Sequence, residues 1–442
     1  MPRFAPLPLA AAAAAFAFHS LAAAADPQWG NWRGPNYDGS SPETGLPEKF
    51  SKEENVAWSA DMPGPAASTP AIAGDRVFVS SADPKTEKLW ALCLDRKTGK
   101  ELWKKEVGKG FQQDNRSNYA SPSPVTDGKI VVFFYGTADL VCFDVAGDEI
   151  WARNIQKDHG DFAFLWTFSS SPLLHGGKLY LQVLQRDTAV SGRGKPEGNE
   201  SYLLAMDPAT GKDLWKHVRP ADAVSESLEA FSTPMPYTHG GREELIIAGG
   251  DCITGHDPET GKEIWRWGTW NPEKIGHWRL VPSPVAGAGV ALACAPKGAP
   301  VYAVKLGGSG KAEVAWTSEA NKDVTSDVAT PLFYDGKFYI LAGEKRDKTL
   351  SCVDPKSGKV IWSGVIPSRA KMETSPTGAD GKIYLMSHSG EVYVVKAGGS
   401  EFKILHQTDM GERGDADTRS SIAAANGQLF IRTNAKLFCI GE

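Results

Sequence analysis

The sequence predicts an all-β chain closed as an eight-bladed β-propeller. Three observations carry that prediction. A strand–turn–strand motif recurs around Trp, eight Ser or Thr residues open short apolar strands at regular spacing, and the chain ends hold two incomplete units that complement each other. Repeats of roughly 40–50 residues with four short strands each are the radial signature of propellers.

The motif is clearest over residues 205–215, where a strand enters, Asp207 opens a turn, Gly211 closes it and a second strand leaves toward Trp215. Asp can accept hydrogen bonds from backbone amides just ahead of it, and Gly takes the positive φ such a turn needs. Residues 93–103, 255–265 and 352–362 repeat the pattern; 142–151 is one residue shorter, and 303–316 is longer and lacks the Asp. Two residues before the Asp position stand Cys93, Cys142, Cys352 and Cys439, and elsewhere Ala205, Gly255, Ala303 and Val394. A position that accepts Ala, Gly, Val or Cys is a small buried slot, and Cys there acts as a compact apolar residue. Cys252 and Cys294 lie outside that slot and are the one pair in which a disulfide is considered.

Each unit opens at Thr69, Ser123, Ser171, Thr233, Ser283, Thr330, Ser375 or Ser421, followed by Pro in every case but the last. Most of the turns that follow are Gly-bearing pairs suited to tight hairpins, such as Asp127-Gly128 and Asn426-Gly427. The closing strands end at Trp58, Trp103, Trp151, Trp215, Trp265, Trp316 and Trp362, with Leu405 assigned to the remaining place. The closing strand at Trp58 precedes every opening, and the unit opened by Ser421 has none. A ring in which the N-terminal strand completes the last blade resolves both and leaves no unpaired edge.

The ends set the domain plan: residues 1–25 an export signal, 26–54 an N-terminal arm, 55–442 the propeller. Arg3, an Ala/Leu/Phe run and Ala23-Ala24-Ala25 before Asp26 have the form of a cleavable signal. The expected location is therefore periplasmic or secreted, without a lipid-bearing Cys and without a transmembrane segment. Removing Arg3 from 48 Lys+Arg leaves 47 against 53 Asp+Glu. That mildly acidic balance lacks the basic stripe that nucleic acid requires. The arm carries Trp29, Trp32 and Arg33-Gly34-Pro35, so it is expected to pack on the propeller. An insertion at 185–201 shows no strand pattern and is expected to be an exposed loop.

The repeat resembles that of quinoprotein-type β-propellers (small-x-Asp-x-x-Thr-Gly-x-x-x-Trp), and the arm resembles the N-terminus of exported bacterial proteins with such repeats. The resemblance implies that the recurring Trp residues wedge between blades as structural elements. It also implies what a catalytic member would contain: a quinone between a Trp floor and a vicinal Cys–Cys disulfide, with Ca²⁺ on Glu, Asn and Asp and an Asp base. This sequence has no adjacent Cys pair and no Cys-x-x-Cys-His haem motif.

Function is expected in the connectors that carry each closing strand to the next opening, because their last residues should ring one mouth of the central channel. Convergent polar and aromatic groups at a concave mouth mark a ligand site. The binding candidates are Asn118, Tyr119, Trp166, Glu229, His277, Trp278, Arg279, Asp327, Glu373 and Arg419, with Arg279 and Glu373 taken as solvent-exposed rim residues. No catalytic residue and no metal ligand set is assigned. The first reading is thus a monomeric, non-catalytic exported scaffold or binding module for a protein partner or small polar ligand, with no cofactor. The alternative is an alcohol or sugar oxidoreductase dependent on pyrroloquinoline quinone (PQQ) with calcium.

Overall fold

The computed structural model describes residue 1, residues 27–412 and residues 417–441. The export signal expected at residues 1–25 lies, past Met1, outside them. Eight small antiparallel sheets form the blades of a propeller. Blade one runs outward through Ala71–Ala73, Arg76–Asp83, Lys88–Asp95 and Glu101–Lys109. The innermost strands of the others begin just after the openings read from the sequence, from Val125–Thr126 in blade two to Ala423–Ala425 in blade eight. Val56–Asp61 pairs antiparallel with Lys436–Ile440 as the outermost strand of blade eight, so the N-terminal strand closes the ring.

A belt of hydrogen bonds joins the blades at the axis. The backbone N–H of each opening residue donates to the hydroxyl of the next: Thr69 to Ser123 (2.9 Å), Ser123 to Ser171 (3.0 Å), Ser171 to Thr233 (3.1 Å), Thr233 to Ser283 (2.8 Å). Ser283 to Thr330 (2.9 Å), Thr330 to Ser375 (3.0 Å) and Ser375 to Ser421 (3.1 Å) continue it. At the join of last and first blades the link changes, and Ser420 Oγ donates to the Ser68 carbonyl at 2.8 Å.

Farther out, the small slot sits directly across the strand pair from the closing Trp. Cys93 faces Trp103, Cys142 faces Trp151, Ala205 faces Trp215, Cys352 faces Trp362 and Cys439 faces Trp58. A larger side chain would collide with the indole, which is why only small residues occur there. Each indole then reaches the next blade. Nε1–H donates to a carbonyl just after the motif Asp, from Trp58 to Arg96 (2.6 Å), Trp151 to Pro208 (2.8 Å), Trp215 to Pro258 (3.3 Å) and Trp316 to Pro355 (2.8 Å). Trp103 reaches Val145 at 3.3 Å and Trp362 reaches Gly398 at 3.0 Å. The motif Gly lies flat on the same indole: a Cβ at Gly261 would stand 2.4 Å from Trp215.

Two places depart from the sequence reading. Trp265 faces blade five, whose motif lacks Asp, and its N–H turns back to Glu244 Oε2 at 2.5 Å within its own blade. The longer turn of blade five fills the gap, with Gly310–Lys311 pairing in parallel alongside Trp265 and Arg266. In blade seven the residue opposite Val394 is His406, not Leu405; one Trp place is taken by an imidazole whose Nε2 lies 2.7 Å from the Phe50 carbonyl of the arm.

The arm crosses the face that carries the innermost hairpins. Trp29 pairs with Ile72, the Gly30 carbonyl takes the Thr126 N–H, and the Asn31 side chain takes the Leu174 N–H. Arg33 Nη2 donates to the Pro331 (3.1 Å) and Pro376 (2.9 Å) carbonyls on the opposite side of the ring. The insertion at 185–201 is not strandless: Thr188–Val190 and Arg193–Glu197 form a hairpin, and Arg193 Nη2 ties it to the Leu165 carbonyl at 2.7 Å. All six cysteines are buried free thiols, so the pair considered between Cys252 and Cys294 is not formed. Burial pushes Cys93, Cys142, Cys294 and Cys439 up to about 12. Among the described residues no helix is long and apolar enough to cross a membrane.

The stacking of Gly on indole can be separated from backbone strain. Gly381 (φ +67°) has nothing within 4 Å of an added Cβ, whereas Gly261 (φ +71°) has Trp215 at 2.4 Å. Gly381→Ala should cost about 1–2 kcal/mol from the left-handed backbone alone. Gly261→Ala should cost a further ~1–3 kcal/mol from overpacking. Urea unfolding of the two variants checks this, and equal losses would remove the packing role assigned to the motif Gly.

Candidate ligand cavity on the propeller axis

The residue two before each opening faces the axis, since positions two apart in an extended segment share a side. These eight, Ala67, Ser121, Ser169, Phe231, Val281, Val328, Glu373 and Arg419, line one cavity. Trp32 of the arm also lines it, entering from the covered face. Arg116, Ser117, Trp166 and Arg279 stand at the open end. The wall is two-sided: Phe231, Val281 and Val328 from blades four to six form an apolar crescent, and Glu373, Arg419 and the serines form a polar one.

At the rim, Trp166 Nε1–H donates to Glu226 Oε1 at 3.0 Å, and Arg279 Nη1 lies 3.5 Å from the same oxygen. The guanidinium carbons of Arg116 and Arg279 lie 5.7 and 5.8 Å from the Trp166 ring centroid, within cation–π range. Arg116 forms no ion pair among the described residues, and its buried Nε has no acceptor. It is a cation in a cavity wall with hydrogen-bonding capacity to spare.

Glu373 is the one carboxylate among the described residues that lines the cavity. Arg419 Nε donates to its Oε2 at 2.7 Å, and His388 Nε2 lies 2.9 Å from that oxygen. Lys371 Nζ stands 3.3 Å from Glu344 Oε2 and 4.0 Å from Glu373 Oε1. Burial works against ionised Glu373, but His388, the adjoining Glu344 and Arg419 together hold it well below the usual carboxylate range. Burial and the neighbouring Glu373 push Glu344 the other way, to about 7. Two adjacent carboxyls cannot both ionise cheaply, so one keeps a proton for the other.

The connectors supply fewer site residues than the sequence suggested. Trp166, Arg279, Glu373 and Arg419 do converge. Arg279 and Glu373 are each only 6% exposed, so they are buried members of charged networks and not a solvated rim. Asn118 is spent on its own turn, its Oδ1 accepting the Ala120 N–H at 2.9 Å. Tyr119 lies in a side pocket with Gln112 and Phe162. Glu229 is fully buried, accepts from Arg186 Nε at 2.5 Å, and is pushed up by burial to about 7 against that guanidinium. Asp327 accepts the Lys297 N–H at 2.7 Å, His277 is exposed, and Trp278 packs against the core around Trp265. Of the residues missed, Phe231, Val281 and Val328 were marked by one signal, the frame two residues before each opening, whereas Trp32 comes from the arm, outside that frame. Among the described residues no three His, Cys, Asp or Glu side chains gather as around a metal ion.

Fold and cavity define a propeller of the quinoprotein-like class. The family model described as outer membrane protein assembly factor BamB matches residues 51–189 and 249–442, and the chain belongs to that family. A polyvinylalcohol dehydrogenase of Pseudomonas sp is 22% identical over 76% of this chain and 50% of its own length. A 1-butanol dehydrogenase (cytochrome c) of Thauera butanivorans is 24% identical over 54% of this chain and 40% of its own length. The chain thus spans about half the length of the curated relatives it matches. Among solved structures, a europium-containing methanol dehydrogenase superposes with a TM-score of 0.66 at 12% identity, covering 93% of this chain and 98% of that one. A quinohemoprotein alcohol dehydrogenase from Comamonas testosteroni gives 0.62 at 13% identity, over 96% and 82%. These relatives overturn the first functional reading. Similarity runs to named dehydrogenases, so the non-catalytic scaffold without a cofactor is withdrawn in favour of its alternative.

The Glu344 carboxyl gives the fold a specific pH response. Its folded value, about 7, lies above the ordinary 4.5, so the stabilisation it contributes is complete below about 4.5 and is lost as pH rises through about 7. Glu344→Gln should therefore flatten the fall of Tm between pH 5 and 7.5. An unchanged slope in that variant would remove the shared proton from the site.

Proposed function

We propose that this chain oxidises alcohols with PQQ held in the axial cavity, acting as a monomer in the periplasm or outside the cell. One observation carries the reading: an indole flanked by two guanidiniums, one of them without a counter-charge among the described residues, at the open end of a half-apolar cavity. Such a wall suits a planar ring system bearing several carboxylates, because arginine both stacks on aromatic planes and pairs with carboxylates. The named activities of the similar dehydrogenases support the same choice. Among the described residues no three His, Cys, Asp or Glu side chains gather as a metal ion would need, so the metal half of that cofactor arrangement is not met.

The quinone, when bound, supplies the two-electron oxidant that converts an alcohol to a carbonyl compound. The rest falls to this chain's own side chains. Arg116 and Arg279 would hold the quinone's carboxylate groups, and Trp166, fixed by its N–H bond to Glu226, would offer it an aromatic wall. Phe231, Val281 and Val328 receive the apolar part of the substrate and exclude water there. Glu373, kept ionised by Arg419 and His388, accepts the hydrogen bond of the substrate hydroxyl and orients it.

The test is uptake and turnover. Protein incubated with PQQ, with and without Ca²⁺, should bind it stoichiometrically, by quenching of Trp fluorescence, and should reduce an artificial dye with 1-butanol. Arg116→Ala should weaken uptake by the loss of a charged hydrogen bond, worth about 1.5–3 kcal/mol. Glu373→Gln should leave uptake in place and slow dye reduction, by the roughly 1.5–3 kcal/mol of a lost hydrogen bond to a charged group. No uptake under either condition would end this reading.

A further inference from the structure

A second cavity, on blade four, carries a chemistry that alcohol oxidation does not use. Cys252 opens the strand Cys252–His256, outside the slot that the other cysteines of the repeat occupy. Its Sγ is 3.1 Å from Arg219 Nη2 and 3.1 Å from Arg266 Nη1, both placed to donate to it. As a thiol it also donates to the Gly249 carbonyl at 3.5 Å. Arg219 is 1% exposed, and its remaining bonds go to neutral partners, Thr254 Oγ1 (2.9 Å) and the Gly249 (3.0 Å) and Cys252 (3.2 Å) carbonyls. Arg266 is paired with Glu263. A fully buried guanidinium without a carboxylate normally carries a heavy desolvation cost. Here the group placed to offset it is the sulfur.

Cys252 lines a cavity together with Asp222, Asp251, Arg266, Asn271 and Lys274. Asp251 is 4% exposed; its Oδ2 accepts from Asn271 Nδ2 at 2.8 Å, while its Oδ1 has only the Trp270 indole beside it, without a well-formed hydrogen bond. An unused buried acceptor in the same cavity as a doubly hydrogen-bonded sulfur calls for a small ligand with an O–H group. We propose that Cys252 is a nucleophilic thiol that small hydroperoxides modify, with Arg219 and Arg266 carrying the negative charge on sulfur and Asp251 Oδ1 accepting the peroxide hydroxyl. Sγ attacks one peroxide oxygen, the S–O bond forms as the O–O bond breaks, and the departing hydroxide leaves as water with the thiol proton. Sulfur is oxidised to a sulfenic acid and hydrogen peroxide is reduced to water. Among the described residues, Cys252 is the thiol whose sulfur has guanidinium donors at hydrogen-bond distance.

The experiment treats the folded full chain with a few equivalents of hydrogen peroxide in the presence of a sulfenic-acid trapping reagent, then maps adducts by peptide mass spectrometry. Cys252 should be labelled at least tenfold faster than Cys93, Cys142, Cys294, Cys352 or Cys439. Arg266→Gln, at a half-exposed position, should slow Cys252 labelling tenfold or more, and Arg266→Lys should restore part of it. Circular dichroism confirms that each variant is folded, and Arg219→Gln serves as a second variant where it folds. Labelling of Cys252 at the rate of the other five, or a rate unchanged in folded Arg266→Gln, would overturn the proposal.

Discussion

The belt at the axis is the constraint on which the rest of the molecule depends. An innermost strand has a neighbour on one side only, so its inner backbone groups face orphanhood in a partly dry channel. The opening hydroxyls solve this blade by blade, each accepting the N–H of the blade before it. Because these bonds are short and repeated, they hold the eight inner strands at one radius. They also fix where the residue two positions earlier must point. The cavity is therefore a consequence of the belt: Glu373, Arg419, Phe231 and the others meet because their neighbours are tied together.

The arm turns a channel into a cup. Its backbone is bonded to blades on both sides of the ring, and Trp29 is completely buried. Arg33, only 4% exposed, is held by carbonyl dipoles from two distant blades, and burial lowers its pKa to about 10. A charge so placed is costly, and the bonds that offset part of that cost, all from Nη2, form only in this seat. Through Trp32 it gives the cavity a floor, which makes a bound ligand accessible from one side only.

The electrostatics of the cup follow from the same geometry. Glu373 belongs to blade seven and Arg419 to blade eight, adjacent in the ring, so they neutralise each other and leave the cation on the other side uncompensated. Arg116 comes from the connector between blades one and two, and Trp166 from the next. Charge is thus separated around the rim, which gives a ligand an orientation as well as a seat.

Sequence alone determined the repeat, the closure and the small slot, because each is a local pattern copied many times. A Cys, Ala or Gly opposite a Trp is legible wherever the two lie ten or so residues apart, and a missing strand at one end calls for a spare strand at the other. What only the tertiary structure decided lies where a residue's neighbours come from another blade. Trp265 turns to Glu244 because blade five lacks the turn that would have received it. His406 takes a Trp place because Phe50, more than three hundred residues earlier, stands beside it. Arg279 and Glu373 read as exposed in charged connectors and are buried because partners from other blades close over them. Cys252 differs from its five fellows for the same reason: two guanidiniums reach its sulfur from elements that a linear reading keeps apart.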